Sequence, residues 1–285
     1  MQRKWGLVVL VVVWLIGAMT IWILWANTAL EITEYIITGD RIPEGFSGFR
    51  IVQISDLHNT EFGDGNEKLI NMIEKAQPDI IVITGDMMDS RRSNATKARE
   101  FAEAAMEIAP VYYVPGNHEA RTKKYKPLKK SLVGLGVTLL EDSKVTISAG
   151  SDSITLMGVL DPGFRKDNMT TDSASAIGSA IMGMQEDSDG FTVLLSHRPE
   201  LFDVYASAGV DLVFTGHAHG GQIRLPFVGG LLAPNQGLFP KYDAGLFVAG
   251  DTRMIVSRGL GNSLFPLRVN NRPEIVVVQL ERSPE

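Results

Sequence analysis

Residues 49–58, FRIVQISDLH, open on a short run rich in β-branched residues and close on an aspartate and a histidine two positions apart. Four later segments keep that order: DIIVITGDMMD (79–89), VYYVPGNH (111–118), FTVLLSH (191–197) and DLVFTGHAH (211–219). Apolar runs of this length, bounded by Gly, Ser or Pro, predict strands buried on both faces. Between the first three lie helical spacings, with Leu69, Ile70 and Ile73 inside 66–77 and Ala98, Phe101, Ala102, Ala105 and Ile108 inside 94–109. Strand alternating with helix predicts parallel βαβ units. Sheets of that kind carry their sites beyond the carboxyl ends of the strands, which is where these five polar tails fall.

After residue 137 the texture changes to VTLL, KVTIS, SITLMGV, QIRLP, LFVAG, RMIVSRG and EIVVVQL, short strands with few long helices between them. They predict a second, largely mixed or antiparallel sheet stacked on the first, an α/β architecture. No internal repeat or long polar linker interrupts the body, so residues 49–285 read as one catalytic domain. Residues 27–48, punctuated by Pro43, Gly45 and Gly48, read as a linker and an opening edge strand.

Composition narrows the partners. Among 285 residues, 45% hydrophobic and 21% charged describe a packed globular chain rather than a disordered one. A net charge of −6 gives no uniform positive field, so nucleic acid is not an expected partner. The absence of cysteine removes disulfides, thiolate ligands and cysteine nucleophiles, and any metal must be held by oxygen and imidazole. Nothing in the sequence sets an oligomeric state.

Residues 1–26 hold the other decisive stretch. From Trp5 to Ala26 run twenty-two residues without a charge, which as a helix span roughly 33 Å, enough to cross a bilayer. Trp5 stands at one end and Trp22 and Trp25 at the other, where indoles prefer the headgroup boundary. A cleavable signal peptide is the competing reading, but its apolar core is usually only about 7–15 residues. Arg3 and Lys4 precede the span while Glu31, Glu34 and Asp40 follow it. That bias predicts a single-pass anchor in the cell membrane with the body on the extracytoplasmic side.

All five histidines of the chain occur in the strand-end loops, beside Asp56, Asp86, Asp89 and Asn117. Taken singly, Asp56 and Asp86 suit turns or helix caps, GNHE suits a turn, and His197 suits a packed side chain. Taken together, Asp56 with His58 and His217 with His219 place i and i+2 side chains on one side of extended backbone. Imidazole, carboxylate and the Asn117 amide oxygen make a mixed set suited to divalent Mn, Zn or Fe. The number of candidate ligands fits two ions better than one.

These blocks, DLH, GDMMD, GNHE, SHRP and GHAHGGQ, resemble those of the calcineurin-like metallophosphoesterases, D-x-H, G-D-x-x-D, G-N-H-E, H and G-H-x-H. The likeness extends from about residue 49 to the C-terminus. GHAHGGQIRLP and VSRGLGNSLFPLRVNNRPEI are similar to the membrane-anchored bacterial branch. The resemblance implies a four-layer sandwich, two stacked mixed β-sheets flanked by helices, behind an N-terminal transmembrane helix. It implies that Asp56, His58 and His219 hold one metal, that Asn117, His197 and His217 hold the second, and that Asp86 bridges them. A hydroxide between the two ions is then the expected nucleophile. His118 is implied as leaving-group acid or phosphate stabiliser, oriented by Asp89, and Glu119 as a contact behind the ligands. The phosphoprotein phosphatases of the family carry arginine directly after the second aspartate of G-D-x-x-D. Ser90 stands here, which disfavours phosphoprotein as substrate.

The expected activity is metal-dependent cleavage of phosphodiester or pyrophosphate bonds, on a lipid-linked or envelope substrate given the anchor. A phosphomonoesterase is the alternative enzyme, and a metal-stabilised membrane binding module without turnover the alternative outside catalysis. The basic run RTKKYKPLKK (121–130) reads either as an attractor of anions or lipid headgroups or as a solvated helical face. Residues 226–247 read either as an acyl groove or as a hairpin over the core. Arg258 is a candidate phosphate contact, and Asp161-Pro162-Gly163 a turn.

Overall fold

The fold is taken from a computed structural model that describes residues 2–165, 171–186, 188, 190–262 and 266–284. Ser263, Leu264 and Phe265 of the closing segment lie outside the described residues. The chain opens with α1 (Gln2–Thr28) and β1 (Glu31–Gly39), then alternates through β2 (Arg50–Ile54), α2 (Glu67–Lys75), β3 (Ile80–Thr84), α3 (Ala95–Met106) and β4 (Val111–Val114). The short α4 (Asn117–Ala120), α5 (Tyr125–Gly134) and β5 (Thr138–Leu139) complete the front half. β6 (Ser143–Ala149), β7 (Asp152–Gly158), α6 (Thr171–Gln185), β8 (Thr192–Leu195), α7 (Phe202–Ser207) and β9 (Leu212–Thr215) follow. Two small hairpins, β10 (Arg224–Leu225) with β11 (Gly229–Gly230) and β12 (Leu232–Ala233) with β13 (Gly237–Leu238), precede β14 (Gly245–Ala249), β15 (Thr252–Val256) and β16 (Glu274–Arg282).

The first sheet has the order β1-β16-β2-β3-β4-β5 and the second β14-β15-β9-β8-β7-β6. β2 to β5 are parallel, as the βαβ pattern predicts. The second sheet is mixed, with a parallel centre of β7, β8, β9 and β15 and antiparallel edges β6 and β14. Not every late strand belongs to it. VTLL supplies β5 and EIVVVQL supplies β16, both in the first sheet, while QIRLP supplies only β10. β16 pairs in parallel with β1 and antiparallel with β2, so the last strand is inserted beside the earliest ones.

Side-chain alternation along each strand builds the layers. Val52, Ile54, Ile81 and Ile83 face Leu69 and Ile73 of α2, Phe101 of α3 and Leu128 and Leu132 of α5. Ile51, Ile80 and Val82 face the other way, against Leu156, Val193, Leu195, Leu212 and Phe214 of the second sheet. Leu194, Val213 and Met254 then face Ile177 and Ile181 of α6 and Phe202 and Tyr205 of α7. Four layers result, helix, sheet, sheet, helix, which is why the five central strands are buried on both faces. α3 shows the local logic: Asn94 accepts from the Thr96 and Lys97 amides at its start, and Ala98, Phe101, Ala102 and Ala105 form the buried stripe.

α1 stands apart. Its Trp5–Thr28 stretch has a mean hydropathy of 2.8 and is long enough to cross a membrane; it is largely exposed as far as Trp25, and Ala26 is buried where the helix meets the body.

Candidate metal centre

The carboxyl ends of β2, β3, β4, β8 and β9 meet at one end of the stacked sheets. Beneath that point the Gln53 side chain ties the sheets together, donating to Thr84 Oγ1 at 2.9 Å and to the Thr215 carbonyl at 2.8 Å. Sharp turns then carry the ligand candidates: Asp56, His58, Asp86, His217 and His219 have φ of 52°, 48°, 52°, 66° and 51°. This left-handed region costs energy for residues with a side chain, least for Asp, Asn and His, so the polar tails suit the backbone as well as the chemistry. Glycine is required where strands approach. A Cβ on Gly216 would lie 1.9 Å from Ser55 Oγ, and one on Gly116 2.3 Å from Asp86 Oδ1.

All seven candidate ligands converge and are buried. Asp56 Oδ1 lies 3.4 Å from His219 Nε2 and 3.8 Å from His58 Nε2, and the two imidazole nitrogens are 3.3 Å apart. Asp86 Oδ2 lies 3.6 Å from His58 Nε2 and 3.3 Å from His197 Nε2. His197 Nε2 in turn is 3.1 Å from Asn117 Oδ1 and 3.2 Å from His217 Nδ1. Ligand atoms of Asp56, His58 and His219 form one group within 4.8 Å, those of Asp86, His197 and His217 another.

Each carboxylate commits one oxygen to the scaffold. Asp56 Oδ2 accepts from Ser55 Oγ at 2.6 Å and the His217 amide at 3.0 Å, and Asp86 Oδ1 accepts from the His118 amide at 2.8 Å. The other oxygens face the imidazoles, and Asp56 Oδ1 is buried without a hydrogen-bond partner among the described residues. His197 Nδ1 donates to the Thr84 carbonyl at 2.7 Å, which turns the Nε2 lone pair toward Asp86 and Asn117. Acceptors facing acceptors at such distances need a cation or a proton between them. Without a metal the proton serves: burial would lower the His197 pKa, but Asp86 overrides it and lifts it to about 10. Asp86, which burial alone would raise, is held well below the usual carboxylate range by His197. Burial brings His58 down to about 3 against the pull of Asp86, and also lowers His217 and His219, keeping those rings neutral and able to bind metal. The donor set therefore fits divalent cations.

His118 and Asp89 sit at the edge of the cluster. His118 Nε2 points inward, 4.0 Å from Asp86 Oδ2, and its Nδ1 accepts from the Ser90 amide at 3.0 Å. The Ser90 amide thus holds the same nitrogen that Asp89 faces. Asp89 Oδ1 stays 3.9 Å from His118 Nδ1 because the carboxylate closes a turn onto the Arg91 amide at 2.7 Å and pairs with its guanidinium at 3.1 Å. Glu119 is structural: it accepts from the amides of Asp86, Met88 and Gly116 at 2.8, 2.9 and 2.8 Å, tying the β3 and β4 loops together. Burial and the Asp86 charge raise its pKa to about 7 against the pull of those donors.

Several residues around the centre are not among the candidates read from sequence. Arg198, beside His197 in sequence, puts Nη1 2.8 Å from His217 Nε2 and pairs through Nε and Nη2 with Asp161. Asn235, from the turn between β12 and β13, lies 2.9 Å from His217 Nε2. Arg268 is fully buried, with Nη2 3.5 Å from His219 Nδ1, and it donates to the Arg258 and Gly261 carbonyls at 2.8 and 2.6 Å. Arg258, a phosphate-contact candidate by sequence, instead pairs with Glu274 at 2.9 Å and Glu31 at 3.4 Å across the β1 edge. The basic run forms the approach to α5 and its first turns, where Lys129 pairs with Glu141 and Lys124 donates to the Ser93 carbonyl. Asp161 begins a 3-10 turn, Pro162–Phe164, as its sequence suggests.

A buried cluster of carboxylate, amide and imidazole ligands at the joint of two sheets defines a metal-dependent hydrolase centre. Residues 49–221 match the calcineurin-like phosphoesterase family, and the chain belongs to it. It is 30% identical over 261 residues to the metallophosphoesterase YkuE of Bacillus subtilis (strain 168), covering 88% of this chain and 86% of that one. It is 27% identical to the phosphodiesterase YaeI of Escherichia coli (strain K12), covering 81% and 82% respectively. The crystal structure of TT1561 of Thermus thermophilus shares the fold, with a TM-score of 0.52 at 12% identity over 75% of this chain and 91% of that one. The chain is a metal-dependent phosphoester hydrolase, and its His and Asp clusters are the groups that could hold the metal.

Proposed function

We propose that this protein is a dinuclear phosphodiester or pyrophosphate hydrolase, held in the cell membrane by α1 with its body on the extracytoplasmic side and acting on a lipid-linked or envelope substrate. One observation carries the chemistry: Asp56 and Asp86 each fix one oxygen to the scaffold and leave the other among buried imidazoles. In this reading Asp56, His58 and His219 hold one ion, Asn117, His197 and His217 the other, and Asp86 serves both. Two bound divalent ions, Mn, Zn or Fe, would supply an activated water and neutralise charge on the phosphoryl oxygens. His118 accepts the Ser90 amide at Nδ1, so its neutral ring carries the proton at Nε2, aimed inward for the departing oxygen. The Asp89 carboxylate stands 3.9 Å from the same Nδ1, on the side of the ring away from the metal cluster. The name of the Escherichia coli relative, a phosphodiesterase, favours the diester over the monoester. The length and apolarity of α1 support the span, and Arg3 and Lys4 before it, with no cation after it until Arg41, support the orientation.

The test is turnover of bis-p-nitrophenyl phosphate by the purified full chain with Mn²⁺, beside Asp86→Asn. Loss in the variant is expected, and equal turnover by both rejects the chemistry. Higher turnover of p-nitrophenyl phosphate than of the diester at matched metal would replace the diesterase reading with the monoesterase one.

A further inference from the structure

The two hairpins that roof the metal cluster carry apolar side chains that no layer of the fold covers. Phe227 is fully exposed, and Val228, Leu232, Leu238 and Phe239 are each more than half exposed. Elsewhere on the body Val133 on α5 and Met182 on α6 stand singly and Leu246 with Val248 forms a pair on edge strand β14, so the hairpins hold the largest group of exposed apolar side chains among the described residues outside α1. Five exposed apolar side chains within residues 227–239 concentrate on these two hairpins, and such a concentration on a soluble surface marks a contact.

The end of α1 is fastened to the same part of the molecule. Asn27 donates to the Arg268 carbonyl at 2.9 Å and accepts from the Arg268 amide at 2.8 Å, and the Arg272 guanidinium lies 5.1 Å over the Trp25 ring. The next residue, Val269, pairs with the hairpin base: the Arg224 amide donates to its carbonyl at 3.0 Å, and Ile223 bridges to it. From Arg224 to Phe227 is three residues, at most about 11 Å of chain. Phe239 reaches the second hairpin the same way, its amide donating to the Leu231 carbonyl at 2.9 Å. Trp22 and Trp25 set the headgroup level for a spanning α1, and Asn27 stands only about 3 Å further along the helix. The Arg268 side chain reaches His219, and Asn235 of the hairpins reaches His217.

We propose that the hairpin face bearing Phe227, Val228, Leu238 and Phe239 docks into the lipid bilayer that α1 crosses, placing the metal centre at headgroup level, where a lipid-borne phosphoester is presented to it. The proposal rests on α1 spanning the membrane, and its meaning for substrate rests on the phosphoesterase reading. Apolar side chains at this level enter the boundary between headgroup and acyl chain, as those of interfacial helices do. Covering by a second copy of the chain is the rival occupant, and the same experiment separates the two.

Because the chain contains no cysteine, single labels are clean. Phe227→Cys, Phe239→Cys and, as reference, Val133→Cys in the last turn of α5 would each carry a nitroxide in the full chain. The host is a vesicle of phosphatidylcholine and phosphatidylglycerol, and the readout is collision with oxygen relative to a water-soluble nickel chelate. The expected result is an oxygen-to-nickel ratio several-fold higher at 227 and 239 than at 133. Equal ratios at the three positions overturn the proposal, as does dipolar broadening between labels that disappears on dilution with unlabelled chain. The depth reading needs no turnover, so a chain that hydrolyses nothing would sink the functional reading while leaving the docking measurement intact.

Discussion

From the first sheet come both carboxylates, Asp56 and Asp86, with Asn117, His58 and His118; from the second come His197, His217 and His219, all imidazoles. The supports differ as well. The first-sheet carboxylates are held by hydroxyl and amide donors, from Ser55, His118 and His217, whereas second-sheet imidazoles rest against the guanidiniums of Arg198 and Arg268. Negative charge is thus supplied from one side, while on the other burial and nearby cations keep His217 and His219 neutral. The centre exists only where the sheets meet, so neither half is expected to bind metal alone.

That asymmetry can be broken in graded steps. Asp86→Asn removes the carboxylate whose Oδ2 lies between His58 and His197, and should lower turnover by more than the ~100-fold ceiling typical of residues behind metal ligands. His217→Asn, which leaves both carboxylates in place, should cost less, and steady-state rates of the two variants at saturating Mn²⁺ provide the comparison. On the second-sheet side, Arg198→Lys keeps the charge but loses the two-nitrogen grip on Asp161. A fall of about 10-fold in metal affinity is expected, read by calorimetric titration. Glu119→Gln removes negative charge that three buried amides share and sets an NH₂ against one of them. About 2 kcal/mol of stability should go, visible as a lower midpoint of denaturation with chelator present, so that metal loss is not the cause. The smallest effect belongs to Ser55→Ala, one hydrogen bond to Asp56 and about 1 kcal/mol, read in the same denaturation assay. Should Arg198→Lys leave metal binding untouched, the guanidinium support of the second sheet would be packing alone.

Local pattern carries most of the fold. The five strand segments are legible because burial on both faces leaves unbroken apolar runs, and α2 and α3 because their buried stripes repeat at helical spacing. α6 is not legible in this way: TDSASAIGSAIMGMQ contains Gly178 and Gly183 and many small residues, which weaken any helical signal. The place of β16 is equally hidden, since a strand's run of apolar residues does not say which neighbour it will join. At the site, the candidate ligands lie in tight loops whose Gly, Asp, Asn and His residues suit both the turn and the chemistry, so their spacing survives in sequence. Arg198, Asp161, Asn235 and Arg268 act through partners brought near only by folding. The Asn27 contact with Arg268 joins residues 241 positions apart, and the Ser90 contact depends on how one turn closes around Asp89.

With α1 spanning the membrane as proposed, the Asn27 fastening would make it a rigid mast rather than a leash. A flexible tether would let the body wander over a hemisphere of solvent, sampling esters at many heights. A body bolted at its mouth keeps a fixed altitude and orientation as it diffuses, so its encounters are confined to a plane. Molecules travelling in that plane are met by a two-dimensional search, while those in bulk fluid must find a narrow rim from above. Kinetic selectivity between the two populations would then arise from geometry alone, before any side chain distinguishes one phosphoester from another.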